Sequence, residues 1–146
     1  METIIGHIND KAILVFVLRV ILGVLFFFQG YDKVVKLKMN AVVDSLRHEL
    51  SSINLPGWLI NVVAYFTSYA ELIGGAMLIA GLFEHFALYL LGIDLILVVI
   101  AFSMVKPMWY SPFVYVRLAL LSVVLFIPRE WDVLSVDYII QNFFIN

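Results

Sequence analysis

The chain has 146 residues, 64% of them hydrophobic and 14% charged, with a mean hydropathy of +1.04, whereas soluble domains average roughly 45–50% apolar and about 25% charged. This balance excludes a soluble globular domain, and a net charge of -2 excludes the basic footprint of a nucleic-acid binder. With no cysteine in the chain, disulfides, thiolate ligands and iron–sulfur clusters are excluded as well.

At about 20 apolar residues per crossing, the hydropathy pattern predicts an all-α integral membrane protein. Its expected form is a four-transmembrane-helix up-and-down bundle, forming a single membrane domain over residues 1–146. The first apolar run, about 12–30, carries Arg19 inside it and lacks the small-residue cleavage pattern of a signal peptide, so it reads as a retained helix. The stretch 31–57 is polar. Within it Met39, Val42, Val43, Leu46 and Leu50 recur at three- and four-residue spacing, which predicts an amphipathic helix in loop 1, lying on the membrane surface. Pro56-Gly57 marks re-entry. The second and third runs, about 58–83 and 86–105, are separated by little more than Glu84-His85 and so form a tight antiparallel hairpin. The fourth run, about 112–128, is short, opened by Ser111-Pro112 and closed by Pro128. Trp109 and Tyr110 before it suit a headgroup-level aromatic belt. The segment 129–146 is too broken to span and is expected as an interfacial C-terminal helix.

Basic residues set the expected orientation. Lys33, Lys36, Lys38, Arg47 and Lys106 fall on one side, Lys11 and Arg129 on the other. The positive-inside rule then puts the Lys-rich loop in the cytoplasm and both termini outside. Lys33, Lys36 and Lys38 read as a charged flank, with contact to anionic lipid headgroups as a further role.

Each apolar run holds one ionisable residue well inside it: Arg19, Glu71, Asp94 and Arg117. A charge at the bilayer centre costs about 2.5–3.5 kcal/mol on the insertion scale, so these four should meet one another or water. Counted at about 1.5 Å per residue from the side carrying the termini, they lie at depths of roughly 10, 18, 13 and 16 Å. A neutral four-charge cluster in the bundle interior is the expectation. Small residues beside the charges, Gly23 and Gly30 in the first run and Gly74 and Gly75 in the second, permit close helix packing, with Gly81 at the hairpin. Two readings of the cluster stay open. One is structural, with buried ion pairs fixing helix register; the other is a polar pocket for a quinone headgroup, a haem propionate, a small anion or a proton. His7, His48 and His85 are scattered without metal-ligand spacing, so no metal is expected. Tyr65, Tyr69 and Tyr115 are candidates to hydrogen-bond the cluster, against plain aromatic packing.

Arg19-x-x-x-Gly23, Gly30-x-x-Lys33, then Glu71-Leu72-Ile73-Gly74-Gly75 and Leu78-x-x-Gly81-Leu82 together resemble the DoxX family. The resemblance implies a small four-helix bacterial inner-membrane protein with integral membrane partners. Its name-giving members are linked to a thiosulfate:quinone oxidoreductase, and other relatives are proposed to join membrane redox complexes. It singles out Arg19, Gly23, Gly30, Lys33, Glu71, Gly74, Gly75 and Gly81, with Asp94 and Arg117 as less specific additions. The chain shows no flavin or nucleotide fingerprint, so electron transfer would need a bound cofactor such as quinone, or another subunit. The leading expectation is a subunit of a respiratory or redox membrane complex, not catalytic by itself. The alternatives are a quinone-linked oxidoreductase subunit and a small proton or ion transporter, the last disfavoured by the absence of broken-helix pairs and inverted repeats.

Overall fold

The computed structural model describes residues 10–105 and 112–142, and among them it is entirely helical with connecting turns. Lys106, Trp109, Tyr110 and Ser111, used above for orientation, belt and helix start, lie outside the described residues.

The first helix, α1 (Asp10–Tyr31), runs straight into a π-helical stretch, Asp32–Leu37. The rod therefore reaches Leu37 instead of ending at Gly30, and it stops where Lys38 takes a positive φ of 66°, a conformation costly for a residue with a Cβ. Next comes α2 (Met39–Glu49), whose Val43 is buried, as is Leu50 just after it, along the predicted apolar stripe. Pro56 starts α3 (Gly57–Ala80), which ends at Gly81 in the left-handed conformation, φ 67°. There the Gly81 N–H donates to Leu78 O (3.2 Å) and the Leu82 N–H to Met77 O (3.0 Å), a glycine-terminated helix end that turns the chain sharply. This turn makes the predicted hairpin with α4 (Glu84–Ser103).

Three helices are long and apolar enough to cross a membrane: 10–37, 57–80 and 84–103, of 28, 24 and 20 residues. The expected fourth, α5 (Pro112–Phe126), has 15 residues. At about 1.5 Å per residue it reaches about 22 Å, against a hydrocarbon layer of about 30 Å.

The core is the seam where α1, α3, α4 and α5 meet, filled by Leu22, Phe26, Leu78, Leu88, Leu91 and Leu121. Along α1 and α3 the backbones nearly touch. A Cβ on Gly75 would lie 2.7 Å from the Cα of Phe27, and one on Gly30 would lie 2.7 Å from the Cα of Leu72. Only a hydrogen fits there, which is how small residues bring membrane helices into van der Waals contact. The contacts also fix register: Gly23 faces Gly75 and Ile79, Gly30 faces Glu71 and Leu72, and Gly81 faces Arg19. The two helices are thus antiparallel.

The C-terminal segment does more than lie at the interface. A 3-10 turn, Arg129–Trp131, and a short helix, α6 (Val136–Ile140), fold back over the hairpin end of the bundle. Val133, Asp132 and Ser135 are buried in the process. The Asp137 carboxylate accepts from the N–H groups of Phe83 (3.0 Å) and Glu84 (3.1 Å), so one turn of the tail caps the start of α4.

Candidate functional site

The four charges read from the sequence do not form one cluster. The α1–α3 register places Arg19 opposite Gly81 and places Glu71 opposite Gly30. Eleven residues separate positions 19 and 30, about 16 Å along the helix. The depth count missed this because it measured each run from its boundary on the side carrying the termini, whereas the glycine contacts decide which residues are level.

Arg19 is fully buried at the hairpin end of the bundle. Its Nη1 donates to the carbonyls of Leu78, which the Gly81 N–H also reaches, and Ile79, acceptors in the last turn of α3. Its Nη2 donates to Leu134 O at 3.2 Å, and its Nε faces the buried Asp132 carboxylate at 3.4 Å. The guanidinium thus ties α1, α3 and the tail together, with its positive charge at the negative end of the α3 dipole.

The second group lies deeper, where α1, α3, α4 and α5 meet. Glu71, 1% exposed, is held by Lys33 Nζ at 2.7 Å, and its other oxygen accepts from Gln29 Nε2 at 2.6 Å. Lys33 extends the stripe Arg19, Gly23, Phe26, Gly30 by one further turn, and the helical continuation past Gly30 carries it inward. Its sequence assignment to a headgroup flank therefore gives way to a place in the ion pair. Lys36 is exposed and pairs with Asp32 at 2.6 Å, and Lys38 is exposed at the turn. Asp94 of α4 is 0% exposed, and among the described residues neither of its carboxylate oxygens has a hydrogen-bond partner. It lies between Leu91 and Leu95, which pack in the same core as Phe26 and Leu121. Arg117 of α5, half-buried, sets its guanidinium 5.5 Å from the centre of the Phe26 ring, a cation–π distance.

The observed site is therefore Lys33, Glu71, Asp94 and Arg117, with Gln29 in support. It holds two cations and two carboxylates and is electrically neutral. Gly74 lets Leu91 pack against α3, since a Cβ there would come within 2.9 Å of the Leu91 side chain. The described tyrosines Tyr65, Tyr69 and Tyr115 are exposed on the outer surface, with Tyr65 and Tyr69 stacked at 6.4 Å. His85 lies against Arg129. Among the described residues no group of three His, Cys, Asp or Glu side chains could hold a metal ion.

Chemically, the arrangement offers an ion pair of Lys33 with Glu71 beside a carboxylate with no hydrogen-bond donor among the described residues. Burying a polar group without a partner costs about 1–3 kcal/mol, and more when it is charged, so folding alone does not account for Asp94.

The family model described as DoxX matches residues 14–105. The match spans Arg19, Lys33, Glu71 and Asp94 and leaves Arg117 and Asp132 outside it. No curated protein and no solved structure matches the chain.

Proposed function

The chain belongs to the DoxX family, and from that membership together with the site geometry we propose that it is an integral subunit of a bacterial inner-membrane redox or respiratory assembly, not catalytic by itself. In this reading α5 is the fourth span. The Lys-rich end carrying Lys36, Lys38 and Arg47 faces the cytoplasm, and the end carrying Lys11 and Arg129 faces outward. The observation that supports the reading is Asp94, a fully buried carboxylate without a donor. Ionisable groups inside a membrane are retained where they bind or conduct something, and a partner or ligand supplying one donor would satisfy this one.

The test is recovery of the tagged protein from its own membrane in mild detergent, read by native mass spectrometry with quinone analysis of the same sample. Wild type is expected to emerge with redox subunits. Asp94→Asn, still folded, is expected to lose them. Recovery of the wild type alone, with ordinary lipid only, refutes the proposal.

A quinone-linked subunit is the second reading, favoured by the same orphan carboxylate, which could exchange a hydrogen bond or proton with a quinone oxygen while Lys33 or Arg117 faces the opposite charge. Its mark is stoichiometric quinone in the extract that disappears in Asp94→Asn.

A further inference from the structure

Beside the charge site lies a second feature. A cavity of about 320 Å³ opens between the π-helical end of α1, the amphipathic α2 and the α3–α4 hairpin, with walls that include Lys33, Val42, Leu46, Val63, Thr67 and Val98. Its volume sits at the lower end of the about 300–1,000 Å³ typical of ligand clefts, enough for a head and the first part of a chain. Most of the wall is aliphatic. Its polar walls are Lys33 and Thr67, the latter one helical turn from Glu71, and across from them Ser45 and Glu49 of α2.

Their hydrogen-bonding capacity is uneven. An ammonium has three donors, and among the described residues Lys33 spends them on Glu71 alone. The Thr67 hydroxyl donates to Ala64 O at 3.3 Å, so its oxygen keeps acceptor capacity. One end of an apolar chamber therefore presents spare donors beside a spare acceptor, the complement of a hydroxyl or carbonyl. Charge balance narrows the choice further. Lys33 and Arg117 offset Glu71 and Asp94, so an anionic head would add an uncompensated negative charge beside the buried Glu71 and the Glu49 of the chamber wall. An uncharged head disturbs nothing.

We propose that this chamber is a binding site for an uncharged bilayer amphiphile, an apolar chain ending in a hydroxyl- or carbonyl-bearing head that rests on Lys33 and Thr67. The chain lies along α2, α3 and α4 under the amphipathic helix. This site stands independently of the redox-assembly reading, because it needs only the isolated chain and the bilayer.

The experiment places the purified full chain in phosphatidylcholine nanodiscs with three diazirine-tagged probes of equal chain length: a monoacylglycerol, the matching fatty acid as its carboxylate, and the matching alkane. Photolabelling is mapped by peptide mass spectrometry. The monoacylglycerol is expected to label chamber peptides of α2, α3 and α4 at least tenfold more than either comparison probe. Ala101→Trp fills the chamber and should reduce that labelling at least tenfold at unchanged thermal stability. Val42→Trp fills it from α2 and serves the same purpose should Ala101→Trp not fold. Thr67→Val should lower monoacylglycerol labelling while leaving the alkane's unchanged. Equal labelling by the three probes, strongest labelling by the fatty acid, or no change on filling overturns the proposal. None of these outcomes depends on recovering partner subunits, so failure here and failure of the redox reading are read separately.

Discussion

Glycine-to-alanine substitution gives opposite signs at two positions of this bundle, and the contrast tests the helix register on which the site depends. At Gly30 a Cβ would lie 2.7 Å from the Cα of Leu72 and 2.9 Å from the backbone carbon of Glu71, whereas unstrained carbon contacts sit at about 3.5–4.0 Å. The obstacle is backbone, which cannot rotate away, so α1 and α3 must separate by roughly 1 Å. Overpacking of this kind costs about 1–3 kcal/mol, and the displaced α1 also pulls Lys33 from Glu71. At Gly92, in the middle of α4, a Cβ meets nothing within 4 Å. There alanine gains only helix propensity, about 0.8–1.0 kcal/mol. Unfolding by denaturing detergent from mixed micelles, followed by tryptophan fluorescence, should show Gly30→Ala less stable than wild type and Gly92→Ala more stable. Both positions gain helix propensity, so the two are expected to differ by the overpacking cost alone, about 1–3 kcal/mol. Equal stabilities of the two variants would refute the close approach of α1 and α3, and with it the pairing of Lys33 with Glu71.

Four further outcomes follow from the charges and the tail. Glu71→Gln takes the counter-ion from the partly buried Lys33 and should destabilise by less than the about 3–5 kcal/mol of a fully buried pair, whereas Asp94→Asn removes a carboxylate with no donor and should cost less than Glu71→Gln, both read by the same detergent titration. Arg19→Met should release the segment after Pro128, seen as accelerated proteolysis at residues 129–135 with the membrane helices intact; unchanged proteolysis would mean that the tail is held by apolar contact alone. Asp137→Ala removes the carboxylate that caps α4 and should cost about 0.5–2 kcal/mol, with faster amide hydrogen exchange at Phe83 and Glu84 as its local signature.

Hydropathy made the helices legible, because a bilayer forces long apolar runs into helices whatever their detailed sequence. The spacing of Met39, Val42, Val43 and Leu46 likewise revealed α2, since its one-sided pattern has a single use at a surface. Partner choice was less legible. Lys33 was hidden by its position after Gly30, where a loop was expected, although its three-residue step along the Arg19–Gly23–Phe26–Gly30 stripe was a signal that the same face continued inward. Asp132 could not be matched to Arg19 from sequence, because it lies in a segment whose own pattern says only that it does not span. The depth count failed for a related reason. Charges on different helices become level only once the backbone contact fixes register, and that contact is written in Gly23, Gly30 and Gly75, not in the distance from the boundary of an apolar run.

The clasp around Arg19 also has a consequence for biosynthesis. As the chain emerges, Arg19 enters the bilayer long before most of its partners exist. The first acceptor, the carbonyl of Leu78, lies 59 residues further along, and the tail carbonyl of Leu134 lies 115 residues further. Until the hairpin and then the tail are made, a side chain at this depth can reach the aqueous boundary only by extending toward the headgroups. Insertion of the first helix is therefore provisional, and its anchoring becomes permanent only when a segment 115 residues further along folds back onto it.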